Sequence, residues 1–224
     1  MRVRVGTAWW GPAVVAVLLG GALTACSGAS REGASTVRAA AATDATDAKG
    51  TSVRGGGTIG APGSACELPV SFDIAEGWKA EAVDPTAAGD SPAGKEVTDA
   101  LLRQGPVTAV CEVDARPAGH IGFLRVFTGS PDAGDASTAL RAFVAAEDGV
   151  SGETYHSFAA GGLQGVEVAY LRTSELLDET KKERALAVDT ARGPVVLHLG
   201  GMDTEEHEQM LPAYELARKT LRST

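Results

Sequence analysis

Val70, Phe72 and Ile74 alternate with Ser71 and Asp73, which predicts a strand with one buried face, and Glu76-Gly77 then turns the chain toward Trp78. After a loop over residues 89–94, the spacing of Val97, Leu101 and Leu102 predicts a short amphipathic helix stopped by Gly105-Pro106. Val107, Ala109, Cys111 and Val113 fall on one face of a strand over 107–115. A second strand over 121–127 follows the turn Arg116-Pro117-Ala118-Gly119, and the two read as a hairpin. Asp135 or Ser137 then caps a helix lined by Leu140, Phe143 and Val144, with Gly149 just beyond its end.

Three more strands are legible: Val166, Val168 and Tyr170 alternate, Leu186 and Val188 sit in 183–190, and 194–199 is apolar except for His198. Ala191-Arg192-Gly193 joins the last two as a hairpin. Asp203, with Glu206 three residues on, resembles a capping box, and His207, Met210, Leu211, Tyr214, Ala217 and Leu221 keep helical spacing toward the C-terminus. Pro212 removes a backbone donor and disfavours helix at the residue before it, so a kink or restart is expected at Leu211.

Strands outnumber helices, and neighbouring strands are mostly hairpin-connected. The expected fold class is therefore α+β, an antiparallel β-sheet flanked by helices. Three stretches carry a resemblance: Phe72 to Trp78 (F-D-I-A-E-G-W), Arg184 to Gly201 (R-A-L-A-V-D-T-A-R-G-P-V-V-L-H-L-G-G) and the closing helix. Together they resemble the PsbP-like fold, which also occurs in LpqN-type actinobacterial lipoproteins. The resemblance covers residues 66–224 and implies a PsbP-like α/β/α sandwich. It supplies no catalytic residues to carry over, and so bears on architecture rather than activity.

The chain ahead of this domain has a different pattern. Met1-Arg2-Val3-Arg4 precedes an apolar stretch over 13–23, and Leu23-Thr24-Ala25-Cys26 closes it, the order of a lipoprotein signal peptide over residues 1–25. The tetrapeptide resembles a lipobox, which implies a diacylglycerol thioether on Cys26 and cleavage just before it. The apolar run falls short of the roughly 20 residues that cross a bilayer, and Gly20-Gly21 interrupts it. Residues 26–65 are mostly Ala, Gly, Ser and Thr with scattered charge, and in 27–64 only Val37, Val53 and Ile59 are larger aliphatics. Such a segment buries too little to offset ordering and is expected to be a disordered tether with an r.m.s. span of roughly 33 Å. The folded domain is then expected over 66–224.

Charge narrows the partners. The chain has 20 basic and 29 acidic residues, a net charge of -9; loss of Arg2 and Arg4 with the signal peptide leaves 18 against 29, or -11. An acidic surface repels phosphate backbones, so nucleic acid is not an expected partner. Cys66 and Cys111, the only cysteines besides Cys26, form an even pair in an exported domain and read as a disulfide. Closing a loop of about 46 residues contributes roughly 4 kcal/mol in the chain-entropy account, and the bridge is expected to pin the first strand to the sheet.

Candidate chemistry is sparse. Gly89-Asp90-Ser91 is similar to the opening of the GDS-type esterase motif, but no apolar strand precedes it, Pro92 follows the serine, and Asp203 to His207 is one residue too long for the partner motif. Asp203, Glu205, Glu206, His207 and Glu208 cluster near His198 in sequence and could be drawn as a metal site. Acids are favoured in a first helical turn by the helix dipole, however, and His207 falls on the apolar stripe. His120 and His156 have no nearby partners in sequence. No catalytic, metal or cofactor residues are assigned on these grounds.

The expectation is a protein anchored in the cell membrane by lipid on its extracytoplasmic face. It is a non-enzymatic binding or assembly module whose partner is an envelope protein, a lipid or a cell-wall component. The alternative is an envelope hydrolase with a site assembled from distant residues. For the anchor, Cys26→Ser should abolish incorporation of labelled palmitate and leave unprocessed precursor, read by metabolic labelling and gel mobility. Continued labelling of that variant would refute Cys26 as the acceptor.

Overall fold

The computed structural model describes residues 45–46, 52–84, 86 and 91–224, with side chains from residue 53 onward, all within the unit Ala41–Thr224. The signal peptide and Cys26 lie outside the described residues. In chain order the first elements are strands β1 (Ala45–Thr46), β2 (Ser52–Val53), β3 (Gly55–Ile59), β4 (Val70–Ala75) and β5 (Lys79–Ala82), then helix α1 (Pro92–Leu102). Next come β6 (Arg103–Gln104), β7 (Val107–Asp114), β8 (Gly122–Gly129), helix α2 (Ala136–Ala145), β9 (Val150–Ala160) and β10 (Leu163–Ser174). The chain ends with β11 (Glu179–Val188), β12 (Val195–Gly201), helix α3 (Thr204–Thr220) and β13 (Arg222–Ser223).

An antiparallel eight-stranded sheet in the order β5-β7-β8-β12-β11-β10-β9, with β6 sharing the β7 edge, forms the centre. Its two faces are covered unequally. On one, Leu124, Val126, Leu186, Leu197 and Leu199 meet Met210, Tyr214 and Ala217 of α3 and Phe72 and Ile74 of a second sheet, ordered β13-β4-β3. On the other, Phe127, Val168, Ala185, Ala187 and Val196 meet Leu140, Phe143 and Val144 of α2. The α+β class with helices on both faces is thus observed. Among the described residues no helix is long and apolar enough to cross a membrane.

Several local expectations hold for the stated reasons. Asp135 caps α2, accepting from Thr138 N at 2.7 Å, and Asp203 caps α3, accepting from Glu206 N at 2.8 Å. β11 and β12 form the expected hairpin, turned by Gly193 at φ 112°, a conformation that favours glycine. Gly201 lets α3 approach closely, since a Cβ there would lie 2.8 Å from His207 N.

Other expectations are corrected. Val107, Ala109, Cys111 and Val113 do not share a face: a bulge between Ala109 and Cys111 leaves the first two on the α2 side and the last two on the α3 side. An extra residue breaks the two-residue period that the sequence pattern assumes. In α1 the buried residues are Gly94 and Thr98; of the expected stripe Leu102 packs on the α2-side core, whereas Val97 (50% exposed) and Leu101 (77% exposed) face outward. α3 runs unbroken through Pro212, because burial on either side, at His207 and Met210 and again at Tyr214 and Ala217, outweighs one missing donor. The Glu206 carboxylate does not close a capping box but accepts from Ile121 N at 3.1 Å.

The folded body also starts before Cys66, inside the stretch expected as tether. β3 pairs with β4 and buries Ile59, one of the few aliphatics available there. Glycine-rich backbone pairs in a sheet without contributing side chains, so composition hid it. Cys66 and Cys111 are joined, with Cα atoms 5.9 Å apart. The bridge ties the approach to β4 onto β7, linking the small sheet to the large one rather than adding β4 to it.

Tyr214 is fully buried where α3 meets both sheets. Tyr214→Ala should lower stability by about 3–5 kcal/mol, whereas Gln209→Ala on the exposed side should leave the melting temperature nearly unchanged. Thermal melts of the two variants check this, and equal melting temperatures would overturn the packing role.

Candidate functional site

α2 ends at Ala145, short of the ends of the strands beneath it, and the sheet face beyond is open. A cavity of about 650 Å³ lies there. Its floor comes from four strands, with Phe123 and Arg125 on β8, His198 on β12, Lys181 and Glu183 on β11, and Arg172 on β10. Leu101, Ile121 and Met202, all exposed apolar side chains, form part of its lining.

Strand alternation explains the floor. His198 lies between Leu197 and Leu199, which point to the α3 side, so its ring points to the α2 side with Val196. Lys181 and Glu183 continue the row of Ala185 and Ala187 on β11. The register sets Tyr170 opposite Glu183, Arg172 opposite Lys181, and His198 opposite Arg125.

The polar groups hold one another. Glu183, 3% exposed, has Lys181 Nζ 2.8 Å from Oε1 and His198 Nε2 3.2 Å from Oε2. Lys181 also donates to Gly201 O at 2.6 Å. Tyr170 donates its hydroxyl to Glu147 Oε2 at 3.0 Å, and His198 Nε2 lies 3.2 Å from the same hydroxyl oxygen. With the phenol proton committed to Glu147, His198 Nε2 is the donor of that pair. The second oxygen of Glu147 accepts from Gln104 Nε2 at 3.0 Å, and the same amide donates to Phe143 O near the end of α2. Phe143 packs edge-on to the His198 ring at 5.4 Å.

These contacts set the ionisation. Burial pushes the Glu183 carboxyl up, but His198 and Lys181 outweigh it and hold the group below the usual carboxylate range. Burial, reinforced by the charges of Glu147 and Glu183, pushes the Tyr170 phenol far above its ordinary value, so it remains a neutral donor. At the mouth, Arg125 pairs with Glu112 at 2.7 Å, and the Phe123 ring lies between the Arg125 and Arg116 guanidinium groups at 5.2 and 5.1 Å.

The residues singled out in sequence do not converge here, His198 excepted. Ser91 is the N-cap of α1, accepting from Gly94 N at 3.0 Å, with Pro92 opening the helix. His120 Nδ1 lies 3.5 Å from Glu206 Oε2, and His156 sits opposite Glu167 in the β9–β10 ladder. His207 is buried on α3, close enough to Glu183 to feel its charge, but does not line the cavity. Among the described residues no group of three or more His, Cys, Asp or Glu side chains could hold a metal ion. Tyr170, Arg172, Lys181 and Glu183 carry no motif. The one signal available was the i, i+2 pair Lys181 and Glu183 leading into the alternating Ala185 and Ala187, which marks a single polar-to-apolar strand face.

Comparison with known proteins adds the family. The model of a family described as uncharacterised lipoprotein matches residues 36–221. The chain is similar to the solution structure of cyanobacterial PsbP (CyanoP) from Synechocystis sp. PCC 6803. That likeness has a TM-score of 0.45 and 13% identity, over 75% of this chain and 98% of that one. No curated protein matches the sequence.

Burial of His207 also makes stability depend on pH. Desolvation lowers its pKa from the ordinary 6.5 to about 4, with Glu183 pulling the other way. The unfolded chain therefore binds this proton more readily, and the stabilisation is complete above about pH 6.5 and lost as pH falls toward 4. Between pH 7.5 and 5 the loss from this group is about 2 kcal/mol. Urea unfolding at both pH values should show that His207→Gln shrinks the pH-dependent drop by about this amount. An unchanged drop would refute a buried neutral imidazole.

Proposed function

The chain belongs to a family of uncharacterised lipoproteins and so is a membrane-anchored extracytoplasmic protein, and on that premise we propose that it is a non-enzymatic binding module whose ligand enters the cavity on the α2 face. Cys26 is the anchored residue, modified as a diacylglyceryl thioether. Two acyl chains hold a protein on a membrane without help from the protein surface, so the folded domain is left to bind. The cavity volume falls within the range of small-molecule sites.

The observation that carries this reading is the chemistry of the lining. Among the described residues no serine, threonine or cysteine lines the cavity, and the groups with acid–base capacity face one another. A hydrolase working through an activated hydroxyl or thiol needs such a nucleophile beside its base. Here the His198 ring meets a carboxylate and a phenol that is held protonated.

Ala146 is exposed and lines the cavity, so Ala146→Trp should block the space without disturbing the core. Native mass spectrometry of full chain incubated with envelope extract should show a small-molecule adduct that is released chemically unchanged on denaturation and is absent from Ala146→Trp. An adduct retained by the blocked variant would overturn the cavity as the site. Conversion of the bound molecule would overturn the non-enzymatic reading in favour of an envelope enzyme.

A further inference from the structure

Resting on the cavity as the ligand site, we infer that Arg172 and Lys181 form an anion subsite within it, and that the ligand is an organic anion: one carboxylate or phosphate monoester on an apolar body. Arg172 and Lys181 lie directly opposite each other on antiparallel β10 and β11, and both line the cavity. Directly opposed like charges destabilise a ladder, and Glu183 answers only the Lys181 side of this pair.

The two cations are not equally satisfied. Lys181 has Glu183 and Gly201 O. Arg172 Nε is buried without a hydrogen-bond partner, and among the described residues no carboxylate lies within ion-pair distance of the guanidinium. A buried donor left unpaired is costly, and a guanidinium fork matches the paired oxygens of a carboxylate or phosphate. The cavity's own acids face other partners, Glu147 bound to Tyr170 and Gln104, and Glu183 with Oε1 on Lys181 and Oε2 3.2 Å from His198 Nε2 but without a hydrogen bond.

Charge distribution is compatible with this. The whole chain is at -9, yet with Arg125 set against its partner Glu112 the lining balances Arg103, Arg172 and Lys181 against Glu147, Asp148 and Glu183. A concave surface without the excess negative charge of the rest of the protein admits small anions while the outer surface repels polyanions. The rest of the ligand is set by the exposed apolar side chains of Leu101, Ile121 and Met202, which also line the cavity. A hydrated inorganic anion leaves that surface wet, whereas an apolar body covers it.

Isothermal titration of the full chain in phosphatidylcholine nanodiscs, with empty nanodiscs subtracted, tests the inference. The probes are octyl phosphate, octanoate, inorganic phosphate and neutral octyl glucoside, each below its micellar concentration. At least one of octyl phosphate and octanoate should bind ten-fold or more tightly than either inorganic phosphate or octyl glucoside. Arg172→Gln should weaken that binding at least ten-fold while leaving octyl glucoside unchanged. This variant removes an unpaired charge and is expected to fold, which its melting curve checks. Equal binding of octyl glucoside, or undiminished anion binding by Arg172→Gln, overturns the anion subsite. Inorganic phosphate binding as tightly as octyl phosphate overturns the apolar body. If none of the probes binds while Ala146→Trp still loses its native adduct, the inference fails and the cavity reading stands.

Discussion

A central sheet buried on both faces needs cover on both, and in this protein the two covers differ in length. At about 1.5 Å per residue, the 17 residues of α3 extend about 25 Å, close to the length of an eight-residue strand such as β8. The ten residues of α2 extend only about 15 Å. The α3 side is completed by the small sheet, while the α2 side runs out of helix above β8, β12, β11 and β10. Everything that makes the cavity follows from that shortfall.

Where cover stops, the strands change chemistry without changing direction. β11 passes from Lys181 and Glu183 to Ala185 and Ala187 on the same face, and β10 passes from Val166 and Val168 to Tyr170 and Arg172. The apolar half packs on α2. The polar half lies beside it, and Glu183, His198, Tyr170 and Glu147 form a connected chain there. Such a chain contributes more to a defined cavity shape than to net stability, since desolvating charges offsets much of their attraction. Arg172 stands outside this chain.

The other end of the assembly depends on covalent and terminal contacts. The Cys66–Cys111 bridge joins the approach to β4 onto β7 just past the bulge that turns Cys111 toward the α3 side. Without that bulge Cys111 would share the face of Val107 and Ala109 and point away from its partner. Thr220, at the end of α3, accepts from Asp73 N at 2.8 Å, and β13 adds a final strand beside β4. Small sheet, helix and large sheet are thus tied at several points far apart in sequence.

Read alone, the sequence determined the elements whose burial repeats with a clear period: the strands of Val70, Val166, Leu186 and Val195, the helices capped by Asp135 and Asp203, and the cysteine pair. It also carried the order of a lipoprotein leader, in keeping with the family. It did not show β9, whose residues are mostly exposed, or β3, whose glycines pair through backbone alone, because hydrophobic periodicity registers only strands that bury side chains. Periodicity also reports that a residue is buried, not against what. The tertiary structure alone decided that the bulge splits β7 between two cores, that α1 turns Val97 and Leu101 outward, and that Pro212 is carried inside α3. It alone brought Glu147, Tyr170, Lys181, Glu183 and His198 together, because their contacts depend on strand register and on where α2 ends, quantities set by packing between segments rather than by any one segment's pattern.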